Sequence, residues 1–230
     1  FRPRIAVWLN LAPDHLDRYA SMEEYRDAKL RVFENQRETD WAVVNKRDRF
    51  PGLRAKTLTF SAYESGGDFE WTAGTILFRG TPVLRMEDTQ LRGLHNVENL
   101  MAALAVGHAW GLDWDAMRAP LCGYRSLPHR CEAVAVLDGV EYVNDPTATN
   151  LDALEKALQG ETRPVVLIAG GKDKGFGFES LTALVASRCR SVVLIGEMAS
   201  RIRDQWEPSV SCASAATLAE AFALARAAAR

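Results

Sequence analysis

Residues 144–150 read Asn-Asp-Pro-Thr-Ala-Thr-Asn and separate an apolar run at 140–143 from a helical pattern. A tight turn needs only two or three residues of this kind, so a stretch this long invites a functional reading. The competing reading is a solvated loop ahead of a helix that Asn150 caps. A second polar loop, Ala-Gly-Gly-Lys-Asp-Lys-Gly-Phe-Gly at 169–177, follows an apolar strand and opens a helix. It departs from the G-x-x-x-x-G-K-[ST] phosphate loop because Asp173 follows Lys172. With Lys172 and Lys174 it still suits an anionic ligand, carboxylate or phosphate.

If residues 21–37 form a helix, Met22, Tyr25, Val32 and Phe33 share one face and Lys29 falls within that stripe. A lysine there is costly unless it snorkels to water or has its charge changed or paired. Just upstream, Asp-His-Leu-Asp-Arg-Tyr (14–19) places His15 and two aspartates in a loop after a strand. His15 and Lys29 do not make a known metal spacing. A lysine could join a magnesium site only if modified to an acid, for instance by carbamylation with CO2.

In Gly-Leu-His-Asn-Val-Glu-Asn-Leu (93–100), His95 or Asn96 can cap the helix that follows. Asn96 and Asn99 lie three apart and share a face near its N-terminal end. Two carboxamides there suit a purine edge, since each offers a donor and an acceptor. Polar first turns are also common without such a role. Arg130, in Leu-Pro-His-Arg-Cys-Glu (127–132), sits at a candidate domain junction. There a planar guanidinium can meet phosphate, or simply face solvent. His108 lies inside an apolar helix and reads as a packing residue.

These residues need elements to hold them. Strands are expected at 5–9, 41–45 and 56–60, a small meander over 68–86, and a strongly apolar helix over 96–110. The stretch 123–130 mixes Gly, Ser and Pro and is the best boundary candidate. Asp138-Gly139 predicts a type I′ hairpin within 132–143. Alternation follows: helix 150–159, strand 165–169, helix 178–188, strand 192–195, helix 198–206, a short strand near 210–212 and helix 214–229. That alternation predicts an α/β fold, with a mostly parallel sheet covered by helices. Ligands in such sheets sit at the carboxyl ends of strands, where both polar loops fall.

At 230 residues the chain is long enough for two domains, each with its own core. A composition 47% apolar and 25% charged is that of a globular protein. The net charge of −2 gives no case for nucleic acid or an anionic membrane as partner. Cys122, Cys131, Cys189 and Cys212 form no CxxC pair and no zinc spacing, which fits reduced thiols in a cytoplasm. No apolar run is long enough to span a bilayer, and no signal peptide is visible. The chain opens on Phe1 and stops inside a helical pattern, so it is expected to be an internal piece of a longer protein.

In order and spacing, "LNLAPDHLDRY", "YRDAKLRVFENQ", "GLHNVENLMAALAVG", "LPHRCEAVAVLDGVEYVNDPTATN" and "LIAGGKDKGFGFESL" resemble one family. It is the ATP-dependent Mur ligases of bacterial peptidoglycan synthesis, in particular the branch that adds D-glutamate to UDP-N-acetylmuramoyl-L-alanine. The resemblance runs over nearly the whole chain. It implies that residues 1–126 are the later part of a P-loop-type central ATPase domain, and that 127–230 are a truncated Rossmann-like C-terminal domain. It implies a cytoplasmic enzyme, expected as a monomer, that uses ATP and two Mg2+ ions; this piece alone would be inactive.

Carried over residue by residue, His15 looks like a magnesium ligand and Lys29 like the lysine that family members carbamylate. Asn96 and Asn99, with His95 beside them, look like nucleotide contacts. Arg130 and Asp145 resemble residues that meet ATP phosphate and ribose, and Thr149 and Lys174 residues around the incoming glutamate. The glutamate ligases commonly carry Ser-Lys where this chain has Pro146-Thr147. That substitution leaves open L-glutamate or another acidic amino acid as acceptor. Other readings are a related amide ligase, such as a folylpolyglutamate synthase, and a non-catalytic relative that binds nucleotide without turnover.

Overall fold

The computed structural model describes residues 1–12, 18–50, 52–173 and 177–230. The chain divides into two compact units, Phe1–Ser126 and Leu127–Arg230.

The first unit is built on a six-stranded sheet in the order β1 (Ile5–Trp8), β2 (Trp41–Asn45), β3 (Lys56–Ser61), β4 (Phe69–Thr72), β5 (Thr75–Phe78), β6 (Thr81–Arg85). The first four strands run parallel, and β5 and β6 return antiparallel as the meander. Side chains of β2 alternate between two cores, as the two-residue period of a strand requires. Val43 joins the cluster made with Leu58, Phe60, Leu100, Met101 and Leu104, whereas Ala42 and Val44 join Ala6, Trp8 and Phe33. Coverage on both faces explains why Trp-Ala-Val-Val-Asn reads as one apolar run.

Helix α2 (Leu94–Trp110) covers one face and ends on Gly111, whose φ of 88° is the left-handed stop that favours glycine. Against it packs α3 (Trp114–Gly123), an element not among the expectations, with Pro120 inside it. Gly107 lies against Met117, where an added Cβ would meet the sulfur and oblige the methionine to shift.

Helix α1 is shorter than expected. It spans Met22–Leu30, then tightens into a 3-10 turn over Arg31–Phe33. The Ser21 hydroxyl caps it by accepting from the Glu24 N–H at 3.1 Å, and the Glu24 carboxylate accepts from the Ala20 N–H at 2.8 Å.

In the second unit, β7 (Glu132–Leu137) and β8 (Val140–Asn144) form a hairpin. It turns on Asp138 and Gly139 at φ of 53° and 79°, the pair of positive angles a type I′ turn needs. Then come α4 (Leu151–Gly160), β9 (Val165–Gly170), α5 (Thr182–Arg188), β10 (Cys189–Ile195), α6 (Ala199–Trp206), β11 (Cys212–Ala215) and α7 (Leu218–Ala228). Strands β11, β10 and β9 make a parallel sheet in that order. Its core gathers Leu158, Val185, Val192, Leu194, Ile202 and Trp206, and the Trp206 indole donates to the Phe178 carbonyl at 3.1 Å. The expected helix 178–188 begins instead as a 3-10 turn over Glu179–Leu181, and β10 starts three residues earlier than expected, at Cys189.

Candidate functional site

Two of the residues singled out from the sequence, His15 and Lys174, lie outside the described residues. Of the others, Lys29 and the trio His95, Asn96 and Asn99 lie at two places in the first unit, and Arg130, Asp145 and Thr149 lie in the second.

In the first unit, Lys29 does not lie within a buried stripe. Tyr25 and Phe33 are buried while Lys29, one turn beyond Tyr25 on the same helix, is exposed, so the lysine snorkels to water. Its amine sits over the Tyr25 ring, 4.8 Å from the centroid, an arrangement that favours the cation. Arg18, Tyr19, Tyr25, Ala28 and Lys29 line an open hollow of about 260 Å³. Two cations on one wall suit an anionic group.

At the head of α2, the expectation that His95 or Asn96 caps the helix is corrected. The cap position is Gly93, at φ 84°, and both residues sit within the first turn. Asn96 instead donates from Nδ2 to the Arg92 carbonyl at 2.8 Å, and Asn99 donates from Nδ2 to Asn96 Oδ1 at 3.3 Å. The two carboxamides therefore touch along one face. His95 is half-buried beside them.

Sequence reasoning missed what lies behind this face. Glu98 is buried and accepts from the Arg47 guanidinium at 2.8 Å and from the Ala62 N–H at 3.3 Å. Arg47 in turn stacks on Tyr63, 4.4 Å from the ring centroid. All three partners come from the carboxyl ends of β2 and β3. The available signal was a single acid set between Val97 and Leu100 on an apolar helix.

In the second unit, two loops are bound together at the carboxyl end of β8. The Thr147 hydroxyl lies 2.8 Å from the His129 carbonyl oxygen and 3.2 Å from Asp145 Oδ1. The Cys131 thiol donates to Asp145 Oδ2 at 3.3 Å. Asn144 Nδ2 lies 2.8 Å from His129 Nδ1 and 3.4 Å from Glu132 Oε2. The His129 N–H donates to Glu132 Oε2 at 2.8 Å, and this bond, ahead of the Asn144 carboxamide, holds the Glu132 carboxyl below its ordinary value. Arg130 is exposed between the two tied residues, Asp145 is half-buried, and Thr149 is exposed on the same loop. Asn150 caps α4, its side chain accepting from the Ala153 N–H at 2.8 Å, so one segment serves both as helix start and as part of this cluster.

The glycine-rich loop leaves β9 through Gly170, where a Cβ would overlap the Ile195 carbonyl oxygen. Gly171 continues the close approach by donating to that carbonyl at 3.2 Å. Asp173, at the end of the described part of this loop, pairs with Arg201 at 3.2 Å. His108 is a packing residue: its ring stacks on Trp114 at 5.3 Å, and burial lowers its pKa.

Among the described residues no group of three or more His, Cys, Asp or Glu side chains comes together to hold a metal, and no helix is long and apolar enough to cross a membrane.

An α/β chain with polar loops at strand ends in both units is a ligand-binding architecture, and comparison with known proteins defines its class. The Mur ligase middle domain family matches residues 1–107, and the Mur ligase, glutamate ligase domain family matches residues 129–230. The chain belongs to the Mur ligase family. UDP-N-acetylmuramoylalanine–D-glutamate ligase of Geobacter metallireducens is 41% identical over 234 residues, covering 98% of this chain and 52% of the relative. Its counterpart in Pelobacter propionicus is 43% identical over 235 residues, with the same coverage. The chain thus spans about half the length of the curated relatives it matches. Among solved structures, MurF from Acinetobacter baumannii superposes with a TM-score of 0.73 at 19% identity, covering 97% of this chain and 52% of that one. Mycobacterium tuberculosis folylpolyglutamate synthase complexed with ADP and AMPPCP gives 0.71 at 19% identity, covering 97% and 57%. At that identity the likeness is one of fold.

Proposed function

We propose that the chain is part of an ATP-dependent amide ligase that joins D-glutamate to UDP-N-acetylmuramoyl-L-alanine in the bacterial cytoplasm. The first unit is then the later part of a P-loop-type ATPase domain and the second a Rossmann-like domain. One observation carries the reading. The bonded loops 127–132 and 144–150 hold Arg130, Asp145 and Thr149 at a strand end, in a chain 98% covered by its likeness to D-glutamate ligases.

In this reading the substrate's terminal carboxylate attacks the γ-phosphate of ATP, releasing ADP and forming an acyl phosphate. The glutamate amine then displaces phosphate and an amide forms. Asn96 and Asn99, beside His95, present carboxamides to the purine. Arg130 meets phosphate and Asp145 the ribose, while Thr149 and Lys174 receive the carboxylates of glutamate. Magnesium, when bound with ATP, supplies neutralising charge at the phosphate oxygens. His15 and a carbamylated Lys29 are the residues that would hold it.

A second reading, with L-glutamate or another acidic amino acid as acceptor, is favoured by one feature. Thr147 stands where the resemblance to the glutamate ligases implies a lysine, and its hydroxyl is engaged by His129 and Asp145. An assay of the full-length parent with D-Glu, L-Glu and D-Asp separates the two. Preference for D-Glu upholds the first reading, and turnover of L-Glu or D-Asp at a similar kcat/KM overturns it.

A further inference from the structure

We propose that Thr147 and Cys131 are positioning residues that together orient the Asp145 carboxylate for ATP, each supplying a hydrogen-bond donor to one of its two oxygens. The proposal rests on the reading that Asp145 meets ATP, and it concerns how this chain presents that carboxylate.

The geometry is specific to both oxygens. Oδ1 faces the Thr147 hydroxyl at 3.2 Å and Oδ2 faces the Cys131 thiol at 3.3 Å. A carboxylate on a single-carbon stem rotates about its terminal torsion with little preference, so contacts at both oxygens are what fix its plane. Thr147 has one proton and two acceptors, Asp145 Oδ1 and the His129 carbonyl. It serves both as a three-centre bond, tying the carboxylate to the turn that carries Cys131.

That turn is held in an unusual shape. His129 and Cys131 adopt φ of 66° and 43°, left-handed angles that non-glycine residues adopt only when their surroundings hold them. The holding bonds are visible: His129 N–H to Glu132, the His129 ring to Asn144, and the Thr147 hydroxyl to the His129 carbonyl. The strained angle at Cys131 aims its sulfur at Asp145. Desolvation and the hydrogen bond to Asp145 push the thiol up to about 12, so at neutral pH it keeps the proton it donates.

Two backbone bonds close the other side of the clamp. The Ala148 N–H donates to the Asp145 carbonyl at 3.3 Å and the Thr149 N–H to the Thr147 carbonyl at 2.9 Å. Loop 145–149 is therefore a closed turn in which the Thr147 hydroxyl faces Asp145. This gives Thr147 a task that a lysine side chain, lacking a short hydroxyl, would perform differently.

The test compares Thr147→Val, Thr147→Ser, Cys131→Ala and Asp145→Asn in the full-length parent, reading KM for ATP, KM for the amino acid, kcat and the melting temperature. Valine keeps the shape of threonine and removes the donor. The expected result is that Thr147→Val raises KM for ATP roughly three- to tenfold, the range for one hydrogen bond of ordinary strength, since the Thr147 proton is shared between two acceptors, and leaves KM for the amino acid unchanged. Thr147→Ser restores the parent value, and Cys131→Ala shifts KM for ATP in the same direction by less.

If Asp145→Asn raises KM for ATP while Thr147→Val and Cys131→Ala do not, the clamp is overturned and the role of Asp145 stands. If Asp145→Asn leaves KM for ATP unchanged, the placement of Asp145 at ATP fails, and the clamp with it. A Thr147→Val variant that instead raises KM for the amino acid, or that lowers melting temperature and kcat with no change in KM for ATP, also overturns it.

Discussion

Glu98, on the buried face of α2, accepts a hydrogen bond from Arg47, 51 positions earlier, at 2.8 Å. The Glu98 side chain is 6% exposed and that of Arg47 36%, so the pair is anchored on the helix side and open on the other. It joins the head of α2, which carries Asn96 and Asn99, to the carboxyl ends of β2 and β3. Removing the acid leaves Arg47 and the Ala62 N–H without it. Glu98→Ala is expected to destabilise the parent by about 2 kcal/mol in urea unfolding, the scale of a broken, partly buried charged bond. Glu98→Gln, which keeps an acceptor, is expected to lose less. Equal stability of Glu98→Ala and the parent would contradict this anchoring.

Gly170 is a position where only glycine fits. Its φ is 148°, and a Cβ would overlap the Ile195 backbone carbonyl, which cannot move without displacing β10. Gly170→Ala is expected to cost more than about 2 kcal/mol in chemical unfolding and to displace the loop that follows. A variant as stable as the parent would show that β9 and β10 do not approach as described.

His108 gives a pH signature. Burial, ahead of the nearby Arg79 charge, lowers its pKa from the ordinary 6.5, so below that value the unfolded chain takes a proton that the folded chain does not. Stability contributed by neutral His108 is therefore complete above about pH 6.5 and is lost as pH falls from there toward the folded value. His108→Phe, which keeps a ring against Trp114 and Phe78, is expected to flatten the melting-temperature profile between pH 7 and pH 5. An unchanged slope would count against a neutral buried histidine.

Lys29 is expected to matter through what it carries rather than through packing, since it is exposed. Lys29→Ala in the parent is expected to lower kcat by roughly 100-fold or more while barely changing the melting temperature. Added short carboxylates such as acetate are expected to restore part of the activity. Failure of every carboxylate, with CO2 depletion also without effect on the parent, would remove the acid role.

Much of the frame was legible because it rests on local signals. The Asp138-Gly139 hairpin, the Asn150 cap and the apolar α2 each follow from residue types within one turn of the feature they make. What escaped depends on long-range contact. Glu98 reads as an ordinary acid until the end of β2 supplies Arg47, and the Thr147 hydroxyl, two residues from Asp145, gains its second acceptor only when His129 arrives from eighteen positions away. Lys29 stands within an apolar stripe by spacing and is exposed in the structure, as a snorkelling lysine is. Helix α3 carries Pro120 within it, a residue whose local preference is against a helix interior, so its existence is not readable from local signals.

The most direct test of the central claim follows the oxygen that the proposed chemistry must move. The full-length parent is incubated with ATP, D-glutamate and UDP-N-acetylmuramoyl-L-alanine labelled with 18O in its terminal carboxylate. Formation of the amide with one equivalent of ADP, and one labelled oxygen in the released phosphate, is the expected result. Absence of amide, or amide formed with no label in phosphate, would contradict ligation through an acyl phosphate.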